Sequence, residues 1–243
     1  MVRSNRRDLG FLATNVMVVD DEFKNRAPPP YFQKMKRGAL LVFEGVDRCG
    51  KTTQTQLLLD RLRSLNVKAE LFRFPDRSTA TGQIIDTYLK NGVDLDDKAI
   101  HLLFAANRWE ASKKMVSMIH EGTTLIVDRY SYSGVCFTAA KDNQELAWCM
   151  APEVGLPAPD KIFFLQLEIE ESMKRGQFGE ERYEKEEFQK EVLRNFQNMV
   201  TSKWAVLDAS KTIESLSSEI ESLSMDVIKN SADLPLGTLW NDS

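Results

Sequence analysis

Ala39–Thr53, ALLVFEGVDRCGKTT, is the stretch on which the reading of this chain turns. Its first part, Ala39-Leu40-Leu41-Val42-Phe43, is an apolar run of strand length. The run has no polar alternation, so it predicts a strand buried on both faces. Gly45-Val46-Asp47-Arg48-Cys49-Gly50-Lys51-Thr52 then satisfies G-x-x-x-x-G-K-[ST] at every defined position. From Gln54 to Leu65, the residues Leu57, Leu58, Leu62 and Leu65 recur at helical spacing. Strand, glycine loop and helix in this order predict an anion cradle. Gly45 and Gly50 allow positive φ, so that successive N–H groups can point inward. The helix that follows aims its positive end at the same place. Lys51 can reach outer phosphates and the Thr52 hydroxyl can ligate Mg²⁺. The reading is a nucleoside-triphosphate site.

Outward from this stretch, composition sets bounds. The chain has 243 residues, 42% hydrophobic and 28% charged, which suits one large soluble domain or one domain with an appendage. No apolar run approaches the ~18 residues of a membrane span. A formal net charge of −4 argues against nonspecific nucleic-acid binding, so an anion site must come from local basic residues. Cys49, Cys136 and Cys149 are odd in number and lack C-x-x-C spacing, which points to free thiols in a reducing compartment. Two histidines, His101 and His120, do not suggest a histidine-rich metal centre.

Residues 1–36 differ from the rest. Arg3, Arg6 and Arg7 precede a mostly apolar Gly10–Val19, yet Asp8, Asp20, Asp21 and Glu22 are acidic where a mitochondrial presequence is acid-poor. The expectation is a disordered extension and a cytoplasmic, or also nuclear, protein, with organelle targeting the lesser alternative. Pro28-Pro29-Pro30 predicts a stiff spacer, and the folded domain is expected over 37–243.

Beyond the first strand and helix, strands are predicted at Lys68–Phe74, Thr124–Asp128, Lys161–Leu167 and Trp204–Asp208. Helices are predicted at Asp96–Glu121, Glu186–Val200 and Ile213–Asn230. The Asp96–Glu121 helix carries Leu102, Leu103, Ala106 and Trp109 in its apolar pattern. Alternation of this kind implies a parallel sheet with helices on both faces and ligands at the carboxyl ends of the strands. Asp128 closes an apolar strand beside a phosphate loop. It can be a second Mg²⁺ anchor, or a helix cap or partner of Arg129. Arg77, Arg108 and Arg129 come from three segments expected to converge, where guanidinium forks suit phosphates; each alone could be a surface residue. Glu170–Glu187, EESMKRGQFGEERYEKEE, is either a solvated charged face or a mobile flap that brings Arg175 and Arg182 over the phosphates. Cys49, at a helix start beside Lys51, is either an oxidisable thiol or a small residue that fits the loop. Phe104 is either a flat platform for a base or a core phenylalanine.

FEGVDRCGKTTQ, FPDRSTATGQ, HLLFAANRWE, DRYSYSGVCFTAAK, GLPAPD, RGQFGEERYE and DASK follow in order, and together they closely resemble the thymidylate kinases, from about Arg37 to Trp240. The resemblance implies an α/β P-loop kinase fold, a five-stranded parallel sheet flanked by helices, with a lid over about 170–187. It implies ATP and dTMP as substrates, Mg²⁺ as cofactor and a homodimer, with neither nucleic acid nor membrane as partner. Gly45, Arg48, Cys49, Gly50, Lys51, Thr52 and Thr53 would hold the ATP phosphates, with Arg129, Arg175 and Arg182. Adenine would lie between Arg175 and the Ala209–Lys211 turn. Thr52 and Asp128 would serve Mg²⁺. Arg77 would bind the dTMP phosphate, Phe104 would stack on thymine and Arg108 would hydrogen-bond it. Asp47 would meet the sugar 3′-hydroxyl, with Phe137 and Tyr183 as pocket walls and Phe74, Arg129, Ser133 and Gly134 also in the dTMP pocket. Arg48, inside the loop, would act with Lys51, Asp128 and Arg129 in catalysis, clamping acceptor against donor. Three rivals stand beside this reading: a kinase for dUMP or UMP, a nucleotide-dependent switch, and a silent homologue. The chain has no N-K-x-D segment to read guanine, and Lys51, Thr52, Asp128 and Arg129 are all intact.

Overall fold

A computed structural model describes residues 36–142, 144–175 and 181–241. The expectations for residues 1–35 and for the middle of the lid lie outside the described residues. Five strands are present: β1 (Leu40–Glu44), β2 (Ala69–Arg73), β3 (Thr124–Asp128), β4 (Lys161–Gln166) and β5 (Trp204–Asp208). They form one sheet in the order β2-β3-β1-β4-β5, and every pairing is parallel. β1 and β3 are buried throughout, as strands flanked on both edges and covered on both faces must be. Across the β1–β4 pair, Phe43 packs on Phe163 at 4.9 Å between ring centroids.

The helices are α1 (Lys51–Ser64), α2 (Ala80–Leu89), α3 (Asp97–His120), α4 (Ser131–Ala139), α5 (Leu146–Met150), α6 (Ile169–Lys174), α7 (Glu186–Met199) and α8 (Ile213–Ser231). Three of them start on a side-chain cap. Thr79 accepts from the Gly82 N–H at α2, Asp96 from Lys98 and Ala99 at α3, and Thr212 from Ser215 at α8. No described helix is long and apolar enough to cross a membrane. Ahead of β1, Arg37 is buried and forks onto Asp160 at 2.7 and 2.8 Å, while Asp160 also accepts from the Leu40 N–H.

Two expectations need correction. The apolar pattern on α3 is out of phase: Leu102 and Trp109 are 49% and 42% exposed, and Leu103 and Ala106 are half-buried. The buried face carries Ile100, Ala105, Met115 and Ile119 together with His101, Asn107, Arg108 and Ser112. The reason is positional. This face borders the ligand trough and an internal hydrogen-bond network, so polar groups occupy it and leucines are left outside. On α1, Leu58 and Leu62 are buried but Leu57 and Leu65 are exposed. The sequence reading assigns no helix to α2, α4, α5 or α6, although Ile85, Tyr88 and Leu89 on α2 recur at helical spacing and are buried. The α6 turn occupies the start of the segment expected to be the lid.

Candidate active site

The loop between β1 and α1 is shaped by close contacts. Gly45 has φ 145, and a Cβ there would lie 2.6 Å from the Leu165 carbonyl oxygen of β4 and 2.8 Å from Cys49 Sγ. Only glycine fits. Gly50 caps α1 at φ 100, and between the two glycines Arg48 takes a left-handed φ of 61. Lys51 is buried, and its ammonium donates back to the Gly45 and Val46 carbonyls at 3.1 and 2.7 Å. Cys49 is buried at 1% exposure with its sulfur 3.5 Å from that ammonium, so a reagent cannot reach it while the loop keeps this shape.

Asp128 ends β3 directly above the loop. Thr52 Oγ1 donates to its Oδ2 at 2.7 Å, and Arg73 donates to the same oxygen at 3.2 Å through Nε. A hydroxyl and a carboxylate in contact are hard oxygen donors, the pairing that Mg²⁺ takes beside a phosphate loop. Next in the chain, Arg129 also has a positive φ, 67, which turns its side chain back over the loop. It donates to the Gly45 carbonyl and Ser133 Oγ, both at 3.2 Å, and pairs with Asp47. Burial acts to lower the pKa of Arg129, but Asp47, Asp128 and Glu44 outweigh it and hold the guanidinium more firmly charged than usual.

One continuous trough of about 1460 Å³ runs from this loop to α3. It exceeds the ~300–1,000 Å³ of a single-ligand pocket, so there is room for two ligands. Lys51, Thr52, Thr53, Asp128, Arg175, Ala209 and Lys211 line it at one end, and Phe74, Arg77, Phe104, Arg108, Ser133, Gly134, Phe137 and Tyr183 at the other. Asp47, Arg48 and Arg129 also line it, from the loop and the end of β3. Arg175 spans the first end, donating to the Arg48 carbonyl at 3.1 Å and the Ala209 carbonyl at 2.9 Å. Phe137 packs against Tyr183 at 5.8 Å, and Tyr183 stacks on Phe188 at 5.1 Å.

Two expected residues are not wall residues. Gly45 lies beneath the loop, where its carbonyl serves Lys51 and Arg129. Arg182, expected beside the phosphates, is turned away. It pairs with Asp94 at 2.8 Å, donates to the Tyr88 and Val93 carbonyls, and lies over the Tyr88 ring at 4.1 Å. The physical reason is the set of carbonyls at and just beyond the end of α2, which together with Asp94 attract a cation. Arg182 therefore ties the base of the lid segment to α2.

Sequence reasoning missed the residues that hold the others. Glu44 ends β1 and accepts from the Tyr130 and Ser133 N–H groups at 2.9 and 3.1 Å, and from the Ser133 hydroxyl. Its burial raises its pKa above the usual carboxylate range. An acid closing a buried strand was a readable signal, the one that singled out Asp128. Gln189 on α7 is buried and clasps Asp47, accepting from its N–H at 3.0 Å and donating to Oδ2 at 2.7 Å. Asn107 holds the turn that carries Arg77 through both the N–H and the carbonyl of Asp76. No local pattern marks either amide. The acids of the lid base carry no role of their own in the sequence reading, which leaves the segment as either a solvated face or a mobile flap. In the structure Glu184 pairs with Arg48 at 2.7 Å and Glu181 with Arg77 at 2.8 Å.

A parallel five-stranded sheet in this order, with a glycine-lysine-threonine loop between β1 and α1 and a second subsite across the strand ends, defines a P-loop nucleoside-monophosphate kinase fold. The family model described as Thymidylate kinase matches residues 43–220. The human thymidylate kinase is 48% identical over 208 residues, which span 84% of this chain and 98% of that protein. The Arabidopsis thaliana thymidylate kinase is also 48% identical, over 84% of this chain and 78% of its own length. The solved structure of thymidylate kinase from Candida albicans superposes with a TM-score of 0.76 at 35% identity, covering 83% of this chain and 98% of that one. The chain belongs to the thymidylate kinase family, and is an ATP-dependent nucleoside monophosphate kinase.

Proposed function

We propose that the trough seats ATP and dTMP end to end, with the ATP phosphates in the loop and the dTMP phosphate at Arg77. The reaction is transfer of the ATP γ-phosphoryl to dTMP, giving dTDP and ADP for dTTP synthesis. The observation that carries the reading is the single trough, cationic where two phosphate chains would meet and aromatic at the far end. Its chemistry is alignment and charge neutralisation. The acceptor is already an oxyanion, so no strong base is required.

Lys51 and the loop amides hold the β- and γ-phosphates once its ammonium turns from the Gly45 and Val46 carbonyls. Arg48 clamps acceptor against donor, and Arg129 reaches both. Thr52 and Asp128 would hold Mg²⁺, which would neutralise charge on the phosphates. Phe104 stacks on thymine and Arg108 hydrogen-bonds its edge. Asp47, oriented by Gln189, meets the 3′-hydroxyl, and Phe137 and Tyr183 crowd a ribose 2′ position. Adenine lies between Arg175 and the Ala209–Lys211 turn. A homodimer through the helices flanking the sheet, which would cover the exposed Leu102 and Trp109, and a cytoplasmic setting complete the proposal.

A coupled ADP-release assay with Mg·ATP and a panel of monophosphates tests it. Turnover should be fastest with dTMP, weaker with dUMP and negligible with UMP and CMP. Faster turnover of any other monophosphate would overturn the substrate assignment.

A further inference from the structure

We propose that Glu153 is a positioning residue that fixes which pyrimidine edge the trough accepts, by setting the donor pattern of Arg108. The inference rests on the reading that Arg108 faces the base. Glu153 lies in a 3₁₀ turn, Ala151–Glu153, 45 residues from Arg108 in sequence and outside the quoted motifs. The Arg108 and Glu153 side chains are 3% and 0% exposed. A guanidinium cannot shed its proton, so one buried this deeply requires a partner charge. Glu153 supplies it in two-toothed form, accepting from Nε at Oε2 (2.8 Å) and from a terminal nitrogen, NH2, at Oε1.

The guanidinium is also closed in by α4. A Cβ on Gly134 would lie 2.4 Å from NH2 and 3.1 Å from Cζ of Arg108. The fork is thus held between a carboxylate and bare backbone. Trp109 secures the turn from α3 itself, donating from its indole nitrogen to the Pro152 carbonyl at 2.8 Å. With Nε and NH2 committed, NH1 is the one nitrogen of Arg108 with no acceptor among the described residues. Arg108 lines the trough one helical turn after Phe104, so both stand on the same face of α3. What NH1 offers is donors only.

A pyrimidine with a carbonyl oxygen at ring position 4 matches that offer. One with an amino group there sets donors against donors. Discrimination of this kind depends on the donor being unable to turn. Glu153 and Gly134 prevent the turning. In Glu153→Gln one acceptor oxygen becomes an N–H₂ group facing the guanidinium, so Arg108 must rotate or lose contacts.

Initial rates with dTMP and dCMP, at saturating Mg·ATP and on the full chain, test the proposal. Glu153→Gln should raise KM for dTMP about tenfold or more, the size expected when a hydrogen bond to a charged group is lost. KM for ATP should stay within about twofold, because that end of the trough is untouched. The preference for dTMP over dCMP in kcat/KM should narrow by about tenfold. Glu153→Asp keeps the charge but withdraws it by one methylene, and should fall between. Gly134→Ala, which displaces the fork from the other side, should show the same split. Unchanged dTMP KM and preference in folded Glu153→Gln would overturn the proposal. If that variant does not fold, unchanged values in Glu153→Asp would do so. Arg108→Met separates the two levels. If it leaves the preference intact, the base reading itself fails; if it abolishes the preference while Glu153→Gln does not, only the positioning role fails.

Discussion

Where the phosphates would meet in the trough, Arg77 is 41% exposed and shares its guanidinium between Asp86 at 2.6 Å and Glu181 at 2.8 Å; at the base end, Arg108 is 3% exposed and pairs, among the described residues, with Glu153 alone. The two ends use the same side chain in opposite ways. An exposed ion pair is worth little and is screened by salt, so an arriving phosphate can replace a carboxylate in it. A buried pair is costly to break, because the survivor is left charged and unpaired. The phosphate end is therefore built to exchange partners, and the base end to keep them. Arg48 stands between the two kinds, 23% exposed with a partner, Glu184, that is 8% exposed. It pairs with Glu184 from the lid base, as Arg77 pairs with Glu181, so two lid carboxylates contact the cations that the phosphates would take.

The largest expected effect lies at the exchanging end. Arg48 has a left-handed φ, so Arg48→Gly costs the loop no backbone strain and reports on the guanidinium itself. Turnover should fall by about 10³-fold, with a much smaller change in KM for ATP. A kcat near that of the unaltered chain would remove Arg48 from the transition state. It would also leave its pairing with Glu184 as a structural tie between the loop and the lid base.

Glu181→Gln sharpens the contrast with a smaller effect of opposite sign. The substitution frees Arg77 from one of two carboxylates without changing the shape of the lid base. KM for dTMP should drop by about two- to threefold at low salt, and the gain should shrink as salt is added. Glu153→Gln should raise the same KM. If both substitutions move it the same way, the distinction between exchanging and fixed arginines is lost.

The same distinction accounts for how much was legible in the sequence. The sheet was readable because β1, β3 and β4 are apolar runs, and Thr124–Asp128 and Trp204–Asp208 begin and end where the pattern sets them. The phosphate loop was readable because its chemistry is local: the glycines, lysine and threonine act within eight residues. The α3 face was not. Its stripe mixes Ile100 and Met115 with His101, Asn107 and Arg108, and that mixture has no apolar period. Arg182 went to α2 rather than the phosphates because partners far apart in sequence, Asp94 and the end of α2, hold it. Glu153, Gln189 and Glu181 act across 45, 142 and 104 residues respectively, and no spacing rule reaches that far.

The smallest effect tests whether the base end is as closed as its arginine implies. His101 is buried one turn before Ala105 on α3, between α4 and α5. Its Nε2 meets the Cys149 carbonyl at 2.9 Å, and its Nδ1 meets Thr138 Oγ1 at 2.8 Å. A carbonyl only accepts, so Nε2 carries the proton and Nδ1 accepts from the hydroxyl. A second proton, on Nδ1, requires the buried Thr138 hydroxyl to turn and accept where it now donates. Burial first, and then the Arg108 charge, push its pKa below the ordinary 6.5, against a smaller pull from Glu153. Below about 6.5 the unfolded chain takes up a proton that the folded chain refuses, so this contribution to stability is present above 6.5 and is lost as pH falls through the folded value. His101→Gln cannot titrate, and should flatten the fall in stability between pH 6.5 and the acid limit. The slope removed is at most that of one proton, about 1.4 kcal/mol per pH unit. Thermal melts of the two proteins across that range measure it. Coincident slopes would mean that His101 accepts a proton in the folded state, and that solvent or a mobile acceptor reaches the region where Arg108 is held.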